Sequence, residues 1–189
     1  PIAWTAVNQF TREGVSVKLP GPTVGRTPIP KVTDFNQPLP YLDGFTKRSG
    51  GSFTIFQRMN QEGDMLRVAT SVRTLQGKRG VGTYIPGTMP DGSRNPVLAS
   101  VLKGRTYIGP AFVVDAWVHG EYRPLKDSSG QIVGMLYAGE KQQSSPAVAG
   151  YFSGGAVGSL GRTYALKASG PDKGQFLVAP EGYEQGRSS

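Results

Sequence analysis

The sequence predicts an α+β domain with a central antiparallel β-sheet and flanking helices. Several short runs rich in β-branched and aromatic residues alternate with polar stretches that contain glycine, as is typical of antiparallel strands. One segment carries complete start and stop signals for a helix. Glycine and proline account for 27 and 15 of the 189 residues. This excess over ordinary usage favours a turn-rich β architecture.

The first half of the chain contains three of the predicted strands. Residues 53–58 and 65–72 flank a polar stretch with a glycine, which predicts a hairpin, and residues 81–85 form a third short strand. Residues 41–48 are predicted to form a short helix that ends at Gly50. Upstream, residues 15–19 alternate like a strand, whereas residues 4–10 fit either a helix end or a strand. Six prolines from residue 20 to residue 40 predict an extended loop lying over the domain.

The second half begins with the strongest helix signal, at residues 95–103. Asn95 is a favourable N-cap, Pro96 suits the first helical position and Gly104 follows the last periodic residue. Three strands are then predicted at 107–118, 121–125 and 131–138, with the first turn at His119-Gly120. Apolar residues at both alternating positions of 107–118 indicate that both faces of the sheet are covered, one of them by helix.

A change in composition after Glu140 indicates a domain boundary. Glutamine, serine, glycine and alanine dominate the next residues, and 163–167 and 175–179 then flank a glycine- and proline-containing turn like a hairpin. We therefore expect one domain at 1–140, followed at 141–189 by a carboxy-terminal extension or the start of a second module.

Charge and composition exclude several classes of function. The net charge of +8 arises from basic residues scattered singly or in pairs, without a basic stripe, so we expect no nucleic-acid partner. No apolar run approaches the roughly 18 residues that a membrane span requires, and no signal segment opens the chain, so we expect this fragment to be soluble. Cysteine is absent, which leaves no disulfides or thiolate metal sites.

Arg67 is the leading candidate for a binding residue. It lies between apolar residues of the strand 65–72, on the parity of Met65, Ala69 and Ser71. A guanidinium on an apolar strand is suited to a small anion, because its planar donors match a carboxylate. The alternative is an arginine at a sheet edge that points into solvent.

Five further residues are candidates on the strands that follow. Asp115 is a lone carboxylate in an apolar run and needs a partner; a pair with Arg67 would satisfy both, either as a structural contact or by orienting Arg67 toward a ligand. Trp117 and Tyr122, placed close together by the expected turn at 119–120, would supply an aromatic wall and a hydroxyl donor, although core packing alone also explains Trp117. Tyr107 and Tyr84 are weaker candidates, because only their strand position recommends them.

No residue constellation points to catalysis. His119 is the single histidine and has no second ligand or base beside it in the sequence, and no nucleophile elbow, phosphate loop or zinc motif is present. We expect no enzymatic activity, no cofactor and no metal site.

Five ordered blocks resemble the Cache sensor domains of bacterial chemoreceptors, diguanylate cyclases and sensor kinases. They are GGSFTIFQRM at 50–59, GDMLRVAT at 63–70, GVGTYI at 80–85, GRTYIGPAF at 104–112 and YRPLKDSSGQIVGMLY at 122–137. The segments 157–164 and 173–180 resemble the opening of a second Cache-like module.

The resemblance implies a PAS-like sheet in a periplasmic small-molecule sensor whose parent protein is anchored in the inner membrane. A receptor of the methyl-accepting chemotaxis type is favoured, with a histidine kinase or diguanylate cyclase as alternatives. Ligand binding is expected to shift the equilibrium between two arrangements of the domain or of a homodimer. An extracellular protein-interaction module and an unrecognised hydrolase are the competing hypotheses. We expect a carboxylate ligand, because Arg67 is the best anion donor in the predicted site.

Overall fold

The computed structural model describes residues 1–114 and 116–141 and four short strands within 156–178. The chain divides into two compact units, Pro1–Lys141 and Gln142–Ser189. The elements of the larger unit are β1 (Ile2–Asn8), β2 (Gly14–Leu19), β3 (Thr23–Val24), β4 (Thr27–Pro28), α1 (Pro40–Ser49), β5 (Ser52–Arg58), β6 (Met65–Thr70), β7 (Thr83–Ile85), α2 (Pro96–Val101), β8 (Tyr107–Val113), β9 (Ala116–Lys126) and β10 (Ile132–Lys141).

Eight of these strands form one sheet in the order β2-β1-β7-β6-β5-β10-β9-β8. Neighbouring strands are antiparallel except β1 and β7, which pair in parallel, with Val7 opposite Thr83. The strands at the five positions predicted above are adjacent in this sheet, and the two predicted helices are present. The α+β fold class with a PAS-like, mostly antiparallel sheet is therefore confirmed.

Helix α2 begins and ends where its sequence signals indicate. Asn95 has an extended backbone, and its side-chain oxygen accepts hydrogen bonds from the amides of Val97 at 3.0 Å and Leu98 at 3.4 Å. These bonds satisfy donors that a helix leaves unpaired at its amino end. Pro96 then occupies the first helical position, where its missing amide costs nothing.

Three clusters of buried side chains cover the two faces of the sheet. On one face, apolar residues of α2 pack against strands β5, β6, β8, β9 and β10. On the other, a cluster around Trp4 joins β1, β6 and β7, while Leu42 of α1 packs with the proline-rich segment and Ala69. The central strands β5 and β6 are thus covered on both sides, as predicted for the sheet. A helix lies on each face, whereas only one helical cover was predicted.

The turn predicted at His119-Gly120 is wrong. Strand β8 ends at Val113 and β9 starts at Ala116, so His119 and Gly120 lie inside β9, opposite Pro110 and Gly109. Gly120 is required there by close packing rather than by a turn, because a Cβ atom at this position would lie 2.7 Å from Cε2 of Tyr137. The glycine that suggested a turn instead leaves room for a neighbouring ring.

The smaller unit contains two described hairpins. Strands β11 (Ala156–Val157) and β12 (Gly161–Arg162) pair with each other, and so do β13 (Ala165–Leu166) and β14 (Phe176–Val178), all antiparallel. The second pair falls within the segments 163–167 and 175–179, so that hairpin prediction is confirmed.

Candidate ligand-binding site

Arg67 lies in the interior of the larger unit. Its strand, β6, runs between β5 and β7, and all six of its residues are buried. Arg67 itself is 0% exposed. The alternative of a solvent-facing arginine at a sheet edge is therefore wrong.

A β-bulge at Val68 decides which residues share a face with Arg67. Arg67 lies opposite Phe56 and Ala69 lies opposite Ile55, so Val68 has no partner on β5. The extra residue reverses the alternation of side chains beyond it. Ala69 accordingly packs with Leu42 in a separate cluster, and the predicted common parity of Arg67 and Ala69 is wrong.

The guanidinium of Arg67 has few partners for a buried cation. Its Nη1 donates a hydrogen bond to the hydroxyl of Thr83, which in turn donates to the carbonyl of Gly80 at 2.8 Å. Its Cζ lies 4.8 Å from the centroid of the Phe56 ring, a cation–π distance. Nε and Nη2 are buried and have no hydrogen-bond partner among the described residues. These two nitrogens form one edge of the planar group.

Three tyrosines lie side by side next to this arginine. The strand register places Tyr107 opposite Tyr122 and Tyr122 opposite Tyr137. The ring centroids of Tyr122 and Tyr137 are 4.9 Å apart, and those of Tyr107 and Tyr122 are 6.1 Å apart. The Tyr122 ring also lies 6.4 Å from that of Phe56, which contacts Arg67. The structure thus brings Arg67 and Tyr122 together around Phe56.

The hydroxyl groups of the three tyrosines differ in their partners. Tyr107 donates to the carbonyl of Pro110 at 2.8 Å, and Tyr137 shares a hydrogen bond with Ser52 at 3.1 Å. The hydroxyl of Tyr122 is buried without a partner in the described part of the chain. Of the three, Tyr122 therefore has a hydroxyl available to a bound molecule.

Burial changes the acid–base properties of these groups without changing their charge at neutral pH. It lowers the pKa of Arg67 to about 10, against the effect of Tyr122 and Tyr137, which favour the cation. Burial also raises the pKa of Tyr122, and that of Tyr137 despite its hydrogen bond to Ser52. These three described residues consequently present one positive charge and two neutral hydroxyl groups.

The remaining candidates have mixed outcomes. Asp115 and the side chain of Trp117 lie outside the described residues, and the proposed Asp115–Arg67 pair stays a prediction. No described carboxylate forms a salt bridge with Arg67. Trp117 and Tyr122 share strand β9, so the expected turn does not bring them together. Tyr84 packs in the cluster around Trp4, away from Phe56 and Tyr122.

Sequence reasoning missed Phe56, Thr83 and Tyr137, which contact Arg67 or the tyrosines beside it. Tyr107, Tyr122 and Tyr137 recur at equal intervals along three consecutive strands, a pattern that fits tyrosines stacked across a meander. Phe56 and Thr83 carry no such signal, because their positions depend on the pairing of β5 and on the turn before β7.

The described residues have no cluster of three or more metal-ligating side chains. Within the same residues, neither helix is long and apolar enough to cross a bilayer. A fixed cation with two free donors and a nearby hydroxyl is suited to holding an anion in place.

Comparison with known proteins gives one match. The family model of the Cache 3/Cache 2 fusion domain matches residues 2–188. No curated protein and no solved structure matches the chain.

Proposed function

This chain belongs to the Cache 3/Cache 2 fusion domain family, and we propose that it binds the carboxylate group of a small molecule at Arg67. Cache domains are extracytoplasmic sensor modules of signalling receptors and bind small-molecule ligands. Family membership therefore gives the class of function. The nature of the ligand follows from the chemistry around Arg67.

The proposal rests on one edge of the Arg67 guanidinium, whose Nε and Nη2 have no partner among the described residues. The N–H bonds of Nε and Nη2 along this edge are parallel, so they match the two oxygens of a carboxylate in a bidentate pair. An unpaired cation and its unused donors are costly in a buried site. A carboxylate would supply both the opposite charge and the two missing acceptors.

A second buried arginine shows what a structural role requires in this fold. All three nitrogens of Arg79 have partners, including the two carboxylate oxygens of Asp43, each at 2.8 Å. Among the described residues, only one nitrogen of Arg67 has a partner. The difference supports a ligand-binding role for Arg67, since the chain satisfies the other buried guanidinium by itself.

Tyr122 is proposed to complete the site. Its hydroxyl is buried without a partner and stays protonated, so it can donate to an anion held by Arg67. The site as described contains no activated nucleophile, and we propose binding without turnover.

In the proposed signalling role, the sensor lies in the periplasm and its parent receptor spans the inner membrane. A ligand shifts an equilibrium only by its differential affinity for two states. The two states would be arrangements of the domain or of a homodimer. A chemotaxis receptor is our first candidate for the parent protein, and a histidine kinase or diguanylate cyclase receptor is the alternative.

The test compares the full chain with an Arg67→Met variant. Acetate, propionate and longer carboxylates at about 100 times their dissociation constant should stabilise the wild-type protein by about 2.7 kcal/mol, measured by thermal unfolding. The neutral amides of the same acids should not. Arg67→Met should abolish this response while keeping or raising the stability of the free protein, because it replaces an unpaired buried charge with an apolar side chain of similar length.

Arg123→Ala is the matched control. Its side chain is 68% exposed and pairs with Glu121 at the surface, so its loss removes one arginine without touching the site. A carboxylate response that persists in Arg67→Met, or that disappears in Arg123→Ala, would refute the proposed site.

A further inference from the structure

An apolar cavity lies between the proline-rich segment, the start of α1 and the sheet. Its volume is about 150 Å³, and no charged residue lines it among those described. Ile55 of β5 and Ala69 of β6 form the sheet side of the cavity, and Leu42 contributes from α1. The described residues that contact Arg67, Phe56 and Thr83, do not line this cavity.

The cavity lies on the opposite face of the sheet from the Arg67 site. Ile55 and Phe56 are consecutive residues of β5 and therefore point to opposite faces. Phe56 contacts Arg67, whereas Ile55 packs beside the cluster that contains Ala69. The two sites are separated by the sheet and differ in chemistry, since one offers a cation and the other apolar surface.

Prolines form a third of the cavity's described lining. They are Pro28, Pro30, Pro38 and Pro40, and proline fixes its own backbone torsion. The lining residue Leu39 is also held in place, because its amide donates a hydrogen bond to the carboxylate of Asp43 at 2.7 Å. A ligand would meet a preformed space and would not have to order these segments.

We propose that this cavity binds an uncharged molecule with a single aromatic ring. A dry apolar cavity of about 150 Å³ takes up benzene, so the volume fits one ring. The absence of charged lining residues excludes partners for an ionised group. Tyr41 lies in the lining and is 65% exposed, which places an aromatic side chain at the mouth of the cavity.

Benzene is the probe, with benzoate as its charged counterpart, and methyl NMR of the full chain is the measurement. Saturable shifts are expected for the methyl groups of Ala69, Ile55 and Leu42 with benzene. None is expected with benzoate in the Arg67→Met variant, which lacks the proposed carboxylate site. Ala69→Leu should remove the response by filling the cavity from the sheet side. Shifts spread over the buried methyls near α2, or an equal response to benzoate, would overturn the proposal.

Two variants at exposed positions keep the test valid if Ala69→Leu fails to fold. Tyr41→Ala should weaken benzene binding several-fold, while Phe45→Ala on the same helix should leave it unchanged, because Phe45 is 49% exposed and does not line the cavity. Equal effects of the two variants would count against the site. The Arg67→Met variant should bind benzene like the wild type. The benzene test and the carboxylate test can therefore fail independently of each other.

Discussion

At the level of single residues, the described part of the chain contains two buried arginines with contrasting surroundings. Arg79 is tied to a carboxylate and three carbonyl groups, whereas Arg67 has one hydroxyl partner and an aromatic ring. A buried charge without a counter-ion is unfavourable for folding. Binding sites commonly retain such unfavourable groups, because the ligand rather than the protein satisfies them.

Tyr122→Phe separates binding from stability. Its hydroxyl has no partner in the described chain, so its removal loses no hydrogen bond there and should leave the free energy of unfolding unchanged or raise it. Carboxylate affinity should fall about tenfold or more, since a hydrogen bond to a charged group contributes roughly 1.5–3 kcal/mol. Urea unfolding and ligand titration on the same samples measure the two effects.

Tyr107→Phe is the matched control for this substitution. It removes the hydrogen bond to Pro110 and should cost about 0.5–1.5 kcal/mol of stability, with the carboxylate affinity retained. If Tyr122→Phe behaved like Tyr107→Phe in both measurements, Tyr122 would have a structural role only.

Local sequence drew attention to Arg67 and Tyr122, but not to Phe56 and Thr83, which contact Arg67. An arginine within an apolar strand is visible in the sequence, because its neighbours predict burial on both sides. The β-bulge at Val68 is not visible, since it arises from pairing with β5, and it removes Ala69 from the face of Arg67. Thr83 likewise meets Arg67 only after distant segments pack together.

At the level of elements, the Arg79–Asp43 pair joins three segments. Arg79 contacts the carboxylate of Asp43 in α1 and the carbonyl of Thr70 at the end of β6. It also donates to the carbonyls of Asp34 and Gln37 in the proline-rich segment. One side chain therefore fastens the loop between β4 and α1 to a helix and a strand.

This pair should make stability depend on acid pH. The hydrogen bond from Arg79 holds the pKa of Asp43 below its usual value of 3.8, with burial acting in the opposite direction. A lowered pKa in the folded state stabilises the protein above the unfolded pKa, about 3.9, and this contribution is lost as the pH falls through the folded pKa. Asp43→Asn should therefore lower the free energy of unfolding at pH 7.

The difference between wild type and Asp43→Asn should be constant above about pH 5 and should shrink below about pH 4. Urea unfolding at pH 7, 5, 4 and 3 measures it, and the other carboxylates cancel because both proteins contain them. A difference that stays constant down to pH 3 would show that Asp43 does not stabilise the fold through its charge.

The elements themselves were predictable wherever their signals are local. The cap at Asn95, the glycine after α1 and the polar turn between β5 and β6 all mark boundaries that the structure confirms. The parallel pairing of β1 with β7 joins residues far apart in the chain and leaves no local pattern. Gly120 misled the turn prediction because glycine serves equally in turns and at close contacts between strands.

At the level of the whole molecule, the central strands carry two different environments. One face of β5 and β6 holds the buried cation and tyrosines, and the other holds the apolar cavity beneath α1. Strand β6 contributes Arg67 to the first and Ala69 to the second, with the bulge between them. A displacement of β6 would therefore move residues of both sites.

The division of the chain leads to our last expectation. Described strand pairs form only within each unit: the eight-stranded sheet and the β3–β4 pair lie in Pro1–Lys141, and the two short hairpins lie in Gln142–Ser189. The three described clusters of buried side chains give the larger unit a hydrophobic core of its own. We therefore expect a chain ending at Lys141 to fold alone, with a single cooperative unfolding transition.

The measurement is urea unfolding of the shortened and full chains, followed by far- and near-ultraviolet circular dichroism. The shortened chain should keep the near-ultraviolet signal of its packed tyrosines and should retain the carboxylate response assigned to Arg67. Residues 141–189 then need no role in forming that site, in keeping with a separate module or an extension. Loss of the near-ultraviolet signal with retained far-ultraviolet signal would mean that the larger unit cannot pack without the rest of the chain.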